Sequence, residues 1–142
     1  MRISKVIERK FIAENDPDKS WVMIKHPLPG EIQDIFDQAF EQKIEYEKGK
    51  KGKMEPKISQ ENNKKLDREL TLQLVIAGWG NMYDRDDQKM KCTPENIVRA
   101  SREINGFNEW IAKCRETLSA DIKEERENQK KNLKSSVSVQ EK

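Results

Sequence analysis

Histidine and cysteine, the side chains behind most catalytic and metal sites, are scarce here. His26 is the single imidazole in 142 residues, and Cys92 and Cys114 are the two thiols. An active site needs titratable groups that converge. His26 stands before Pro27 with no serine or cysteine beside it in a nucleophile motif, so its ordinary reading is a half-exposed surface histidine. A zinc site needs about four ligands at close spacing, and three scattered groups without a CxxC do not supply them. A glycine-rich phosphate loop is missing as well. The sequence points away from an enzyme and away from a resident cofactor or metal.

Long apolar runs are also missing. The longest, Leu74–Ala77, is far short of the roughly 20 residues that cross a bilayer as a helix. The opening MRISKVIERK lacks the apolar core of a secretory signal. The expectation is a soluble, intracellular chain with reduced thiols. Neither sign of charge dominates: 28 basic residues face 26 acidic ones, for a net charge of +2. They interleave, whereas a dedicated nucleic-acid binder concentrates positive charge on one face. Hydrophobic residues, at 34%, are outnumbered by charged ones at 38%. They are bunched, however, which predicts one compact domain over residues 1–128 with polar appendages.

The most apolar stretch is Leu66–Trp79. Leu66, Leu70, Leu74 and Ala77 fall at helical spacing, and Leu72, Val75, Ile76 and Trp79 form a second apolar face. This predicts a central helix covered by other elements and ended by Gly80. An extended conformation around Trp79 would contradict that reading, and with it the expectation that the chain works through an apolar helical surface built on this stretch. Upstream, two β-prone runs, Arg9–Ala13 and Trp21–His26, flank the turn formers Asn15–Lys19 and predict a hairpin. Ile32, Ile35, Phe36, Ala39, Phe40 and Ile44 give the cleanest amphipathic pattern, a helix over 30–46. Residues 47–58, with two glycines, a proline and five lysines, read as a mobile loop. Thr93-Pro94-Glu95 has the chemistry of a helix start. A last helix carries Phe107, Trp110, Ile111, Cys114 and Leu118, and the polar residues 129–142 read as a disordered tail. The fold class is mostly α (α+β): a single small domain of about four helices with an N-terminal β-hairpin.

Three features invite a sharper reading. Asp84, Asp86, Gln88 and Glu95 match ligand positions of an EF-hand loop, but Lys89 stands where that loop needs glycine and Pro94 interrupts its end. An acidic turn leading into a capped helix is the simpler account. Lys48, Lys50, Lys51, Lys53 and Lys57 could meet phosphate, yet no aromatics interleave to stack on bases. A solvated basic loop is the simpler account there. Trp21, Leu74, Trp79, Phe107, Trp110 and Ile111 are the large apolar groups from which either a core or a protein-binding patch would be built.

The order of elements also resembles a known family. A hairpin with Trp21 leads to Pro27-Leu28-Pro29-Gly30-Glu31 and an amphipathic helix. Gly78-Trp79-Gly80-Asn81 then precedes an aspartate-rich turn, Thr93-Pro94-Glu95-Asn96-Ile97, and a helix bearing Phe107-Asn108-Glu109-Trp110-Ile111. Over roughly residues 8–120 this resembles the tail assembly chaperones of long-tailed bacteriophages and prophages. Two departures stand out: Asp87-Gln88-Lys89 lacks the glycine that usually follows the family's aspartates, and the 47–59 segment is long for it. The resemblance implies a non-enzymatic protein of the bacterial host cytoplasm. It would bind the tape measure protein, and in some systems the tail tube protein, before the tube polymerises. A translational frameshift near the end of the gene, giving a longer form, goes with the family, and self-association is left open. The alternative is a small nucleic-acid-binding or regulatory protein working through the basic loop 48–57.

Overall fold

The computed structural model describes the backbone of residues 1–41, 44–48, 54–58 and 63–140, and the side chains of residues 1–39 and 64–132. The chain is α+β. Its elements run β1 (Glu8–Ile12), β2 (Trp21–Lys25), α1 (Pro29–Glu41), β3 (Ile44–Lys48), β4 (Met54–Ile58), α2 (Asn63–Val75), β5 (Ile76–Gly80), α3 (Pro94–Glu103) and α4 (Phe107–Gln140). The predicted hairpin and four helices are present among the described residues. The chain divides into two compact units, Met1–Ile104 and Asn105–Lys142. The break falls at Asn105-Gly106, where Gly106 takes a left-handed φ of 78°.

In the first unit β1, β2 and β5 form an antiparallel sheet with β2 in the middle. The β1–β2 turn is held by local bonds. Ala13 N–H donates to the Ser20 carbonyl at 2.8 Å, and Ser20 N–H donates to the Asp16 carboxylate at 3.0 Å. Period-two alternation then puts Val22 and Ile24, both fully buried, on the core side of β2. Helix α2 packs against α1, α3 and β2 and contributes Leu72 and Val75 to the core.

The predicted central helix stops early. It ends at Val75, and Ile76–Gly80 is strand β5, paired with β2. The reason is legible in the register. Trp79 lies opposite Val22, Gly78 opposite Met23 and Ile76 opposite Ile24, so Ala77 is an extra residue in β5. Such a bulge lets two residues three apart face the same side of a sheet. Ile76 and Trp79 are both buried while Ala77 is exposed. From Ile76 to Trp79 the spacing that reads as helical is therefore produced by a bulged strand.

Three further expectations change. The basic segment 47–58 is not a plain loop: Glu47 and Lys48 end β3, and all of β4 lies within it, antiparallel to β3 with Ile44 opposite Ile58. Helix α1 correspondingly ends at Glu41, before the predicted Tyr46. The polar residues expected as a disordered tail from 129 onward are helical through Gln140. No glycine or proline follows Gly106, and long polar side chains such as Glu127 and Lys131, four apart, favour helix even without an apolar face. Among the described residues no helix is long and apolar enough to cross a membrane.

Candidate functional site

The described residues offer little convergent chemistry. No group of three or more His, Cys, Asp or Glu side chains among them is placed to hold a metal ion. His26 is partly buried, and its backbone N–H extends the β1–β2 ladder by donating to the Ile7 carbonyl at 2.8 Å. Burial raises the pKa of both thiols, that of Cys114 to about 11, so neither favours the nucleophilic thiolate.

The acidic turn folds onto itself. Asp84 Oδ1 accepts the backbone N–H of Asp86 and of Gln88, each at 2.9 Å, and Asp84 N–H donates to the Gln88 carbonyl at 2.9 Å. Asp87 closes the turn with φ of 56°. One oxygen of the carboxylate that would lead a calcium loop is thus engaged by its own backbone. Glu95 lies in the first turn of α3, where it suits the positive end of the helix dipole. Trp79 ties this turn to the sheet: its Nε1–H donates to the Met90 carbonyl at 2.9 Å, and Met90 N–H donates to the Met82 carbonyl at 2.8 Å.

Helix α3 starts as its sequence predicts, with Thr93 Oγ1 accepting Asn96 N–H at 3.2 Å and Pro94 following. A cavity of about 170 Å³ separates it from the acidic turn, with Tyr83, Met90, Ala100 and Ile104 as its apolar lining. Charge enters it as a neutralising cluster. Arg85 meets Glu103 Oε1 and Arg99 meets Oε2, each at 2.7 Å. The bond from Arg99, backed by Arg85, lowers the Glu103 pKa. Both carboxylate oxygens are committed, which suits holding charge and not exchanging a proton near neutral pH.

The six apolar residues singled out from the sequence differ in exposure. In the first unit Trp79 is buried, whereas Trp21 and Leu74 are partly exposed. Trp21 lies across Gly80, its strand partner, under the Lys10 ammonium at 4.4 Å from the ring centre. In α4, Phe107 and Ile111 are buried and Trp110 is partly exposed, with Phe107 and Trp110 edge to face at 6.4 Å. Trp79, Phe107 and Ile111 have almost no area left to offer a partner. Lys48 and Lys57 lie on β3 and β4; Lys50, Lys51 and Lys53, and the side chains of all five, fall outside the described residues.

The apolar surface that is available sits elsewhere. Helix α1 is locked at its start: Glu31 accepts Leu28 N–H at 3.1 Å with one carboxylate oxygen and the Lys25 ammonium at 2.6 Å with the other. Pro29 occupies the first helical position. From there the stripe divides. Ala39 is buried and Ile35 half-buried, while Ile32 is 56% and Phe36 60% exposed. Gln33 and Asp37 border them, joined by a 2.9 Å hydrogen bond. The pattern alone reads the whole stripe as core-facing. Nothing in it marks which half stays outside, since that depends on how far α2 and the sheet reach around α1.

Comparison of the chain with models of known families, with curated proteins and with solved structures finds no match.

Proposed function

We propose that this protein is a non-enzymatic assembly chaperone of a phage or prophage tail, acting in the bacterial host cytoplasm. It would hold a long helical partner, the tape measure protein, through the outer strip of α1 until the tail tube polymerises. The observation that carries the reading is the exposure of Ile32 and Phe36 on α1, bordered by the polar Gln33 and Asp37. A protein that shields an aggregation-prone helix needs an apolar strip with reversible contacts, and helix-in-groove recognition uses anchors at such spacing. The Thr93-to-Asn96 helix start and the element order support the family resemblance. The Gly78-Trp79 motif supports it less than its sequence implies, because it lies in a strand and not at a helix end.

Co-expression with the tape measure protein of the same tail gene cluster tests the reading. A soluble complex that copurifies, and that Phe36→Asp weakens, is the expected result. Tape measure protein that stays insoluble and unbound beside abundant soluble chain would refute it.

A further inference from the structure

The three-stranded sheet has two edges, and they are built differently. At one, the extra residue Ala77 breaks the register of β5 against β2, and a bulge turns an edge away from further pairing. At the other, β1 pairs with β2 in unbroken register from Glu8↔Lys25 to Ile12↔Trp21. Among the described residues nothing pairs with the far side of β1: the sheet order is β1-β2-β5, and β3 and β4 pair with each other. The ladder bonds fix which backbone groups look that way. Ala13 N–H donates to the Ser20 carbonyl and the Ile7 carbonyl accepts from His26, and hydrogen-bonded pairs alternate along an antiparallel ladder. Ile7, Arg9, Phe11 and Ala13 therefore turn their N–H and C=O groups to β2. Val6, Glu8, Lys10 and Ile12 turn theirs to the open edge. Their side chains share the face opposite the buried Val22 and Ile24. All four are exposed, Val6 by 58% and Ile12 by 51%.

We propose that β1 pairs antiparallel with β1 of a second copy, about a two-fold axis at Arg9, joining two sheets into one. The side chains select that register. About Arg9, Glu8 lies opposite Lys10 of the second copy and Val6 opposite its Ile12, and the axis repeats both pairs. Opposite charges meet, and aliphatic meets aliphatic. These are also the residues whose backbone faces the edge, so each pair exchanges both main-chain hydrogen bonds. On the other face Ile7 and Phe11, each half-buried in one copy, come together. Neighbouring axes lose this match. An axis at Glu8 or at Lys10 sets like charges directly opposite, and one at Ile7 or Phe11 sets a charge against an aliphatic group. With the axis at Arg9, the like-charge pair is Arg9 with its own copy, on exposed side chains long enough to spread apart. Lys10 already lies over the Trp21 ring, and its ammonium has three N–H donors, which leaves it able to meet a carboxylate as well. Neither Ile32 nor Phe36 takes part, so the pairing stands apart from the chaperone reading.

Sedimentation equilibrium of the full chain alone, over a range of concentrations, tests this with no client present. The expected result is a monomer–dimer equilibrium. Glu8→Lys sets like charges opposite twice per dimer and should raise Kd by about tenfold or more. Glu8→Lys combined with Lys10→Glu exchanges the charges and should return Kd to within about threefold of the parent. Both sites are exposed, so circular dichroism should match the parent. Amide exchange of the parent, followed by NMR, reads the edge itself. Raising the concentration should slow the amides of Glu8, Lys10 and Ile12 most, and those of Arg9 and Phe11, already turned to β2, less. A parent that stays monomeric overturns the proposal. So does a dimer that Glu8→Lys leaves unchanged, a loosening that the exchanged pair does not reverse, or protection that rises elsewhere and not at those three amides. Should a variant fail to fold, the exchange pattern of the parent decides alone. The client strip is untouched by these changes, so failure here is separate from failure to copurify with the tape measure protein.

Discussion

Helix α1 and the stretch from Leu72 to Trp79 carry the same kind of apolar spacing, yet they fold differently. In α1 the spacing is that of a helix, and Ile32 and Phe36, two of the four stripe residues whose side chains are described, are left in solvent. In the second stretch a helix gives way at Ile76 to a strand, and a bulge at Ala77 imitates the helical interval while burying both Ile76 and Trp79. Intervals of three and four residues therefore do not separate a helix from a bulged strand. What separates them is pairing: β2 presents Val22 and Ile24 as core-facing partners, and Trp79 and Ile76 answer them across the ladder. The greasier segment is the structural one, and the less apolar helix keeps the surface.

Substitutions sharpen that contrast. Trp79→Ala should be the most damaging. It removes a buried indole and its hydrogen bond to Met90 and should cost about 3–5 kcal/mol in denaturant unfolding. Were Trp79 instead a contact residue, stability would hardly change and binding would fall. Gly80→Ala comes next. A Cβ there would sit 2.3 Å from Trp21 Nε1, so the indole must move, at about 1–3 kcal/mol and with a shift in tryptophan fluorescence.

The α1 cap gives a smaller, pH-dependent effect. The Lys25 ammonium and the Leu28 N–H lower the Glu31 pKa. The folded chain then binds this proton less readily than the unfolded chain. The contribution is therefore complete above the ordinary glutamate range and is lost as pH falls through the lowered folded-state value. Acid titration of stability should lose part of its downward limb in Glu31→Gln. Phe36→Asp should have the least effect on folding, within about 0.5 kcal/mol of the parent, because the ring is mostly solvated already. A large loss there would place the ring in the core and reverse the comparison.

The legible parts of the sequence were those governed by local chemistry. The Asn15–Lys19 turn and its flanking strands form a hairpin, and Thr93-Pro94 caps and starts α3, because the groups that satisfy the backbone lie a few residues away. Strand β5 was not legible, since its conformation is decided by β2, more than fifty residues earlier. Strands β3 and β4 were hidden by lysines and glycines, whose composition signals loops whatever the backbone pairing. The continued helix beyond 128 was masked by the loss of apolar periodicity, which tracks burial and not helicity. For the candidate site the stripe on α1 was legible, but which half faces outward depends on the packing of distant elements.

The most direct test of the account is hydrogen–deuterium exchange of the chain with and without a soluble helical segment of the tape measure protein. The account predicts added protection over residues 29–41 of α1, centred on Ile32 and Phe36, and unchanged exchange over Ile76–Gly80. Protection that appears at Ile76–Gly80 and leaves α1 unchanged would contradict it.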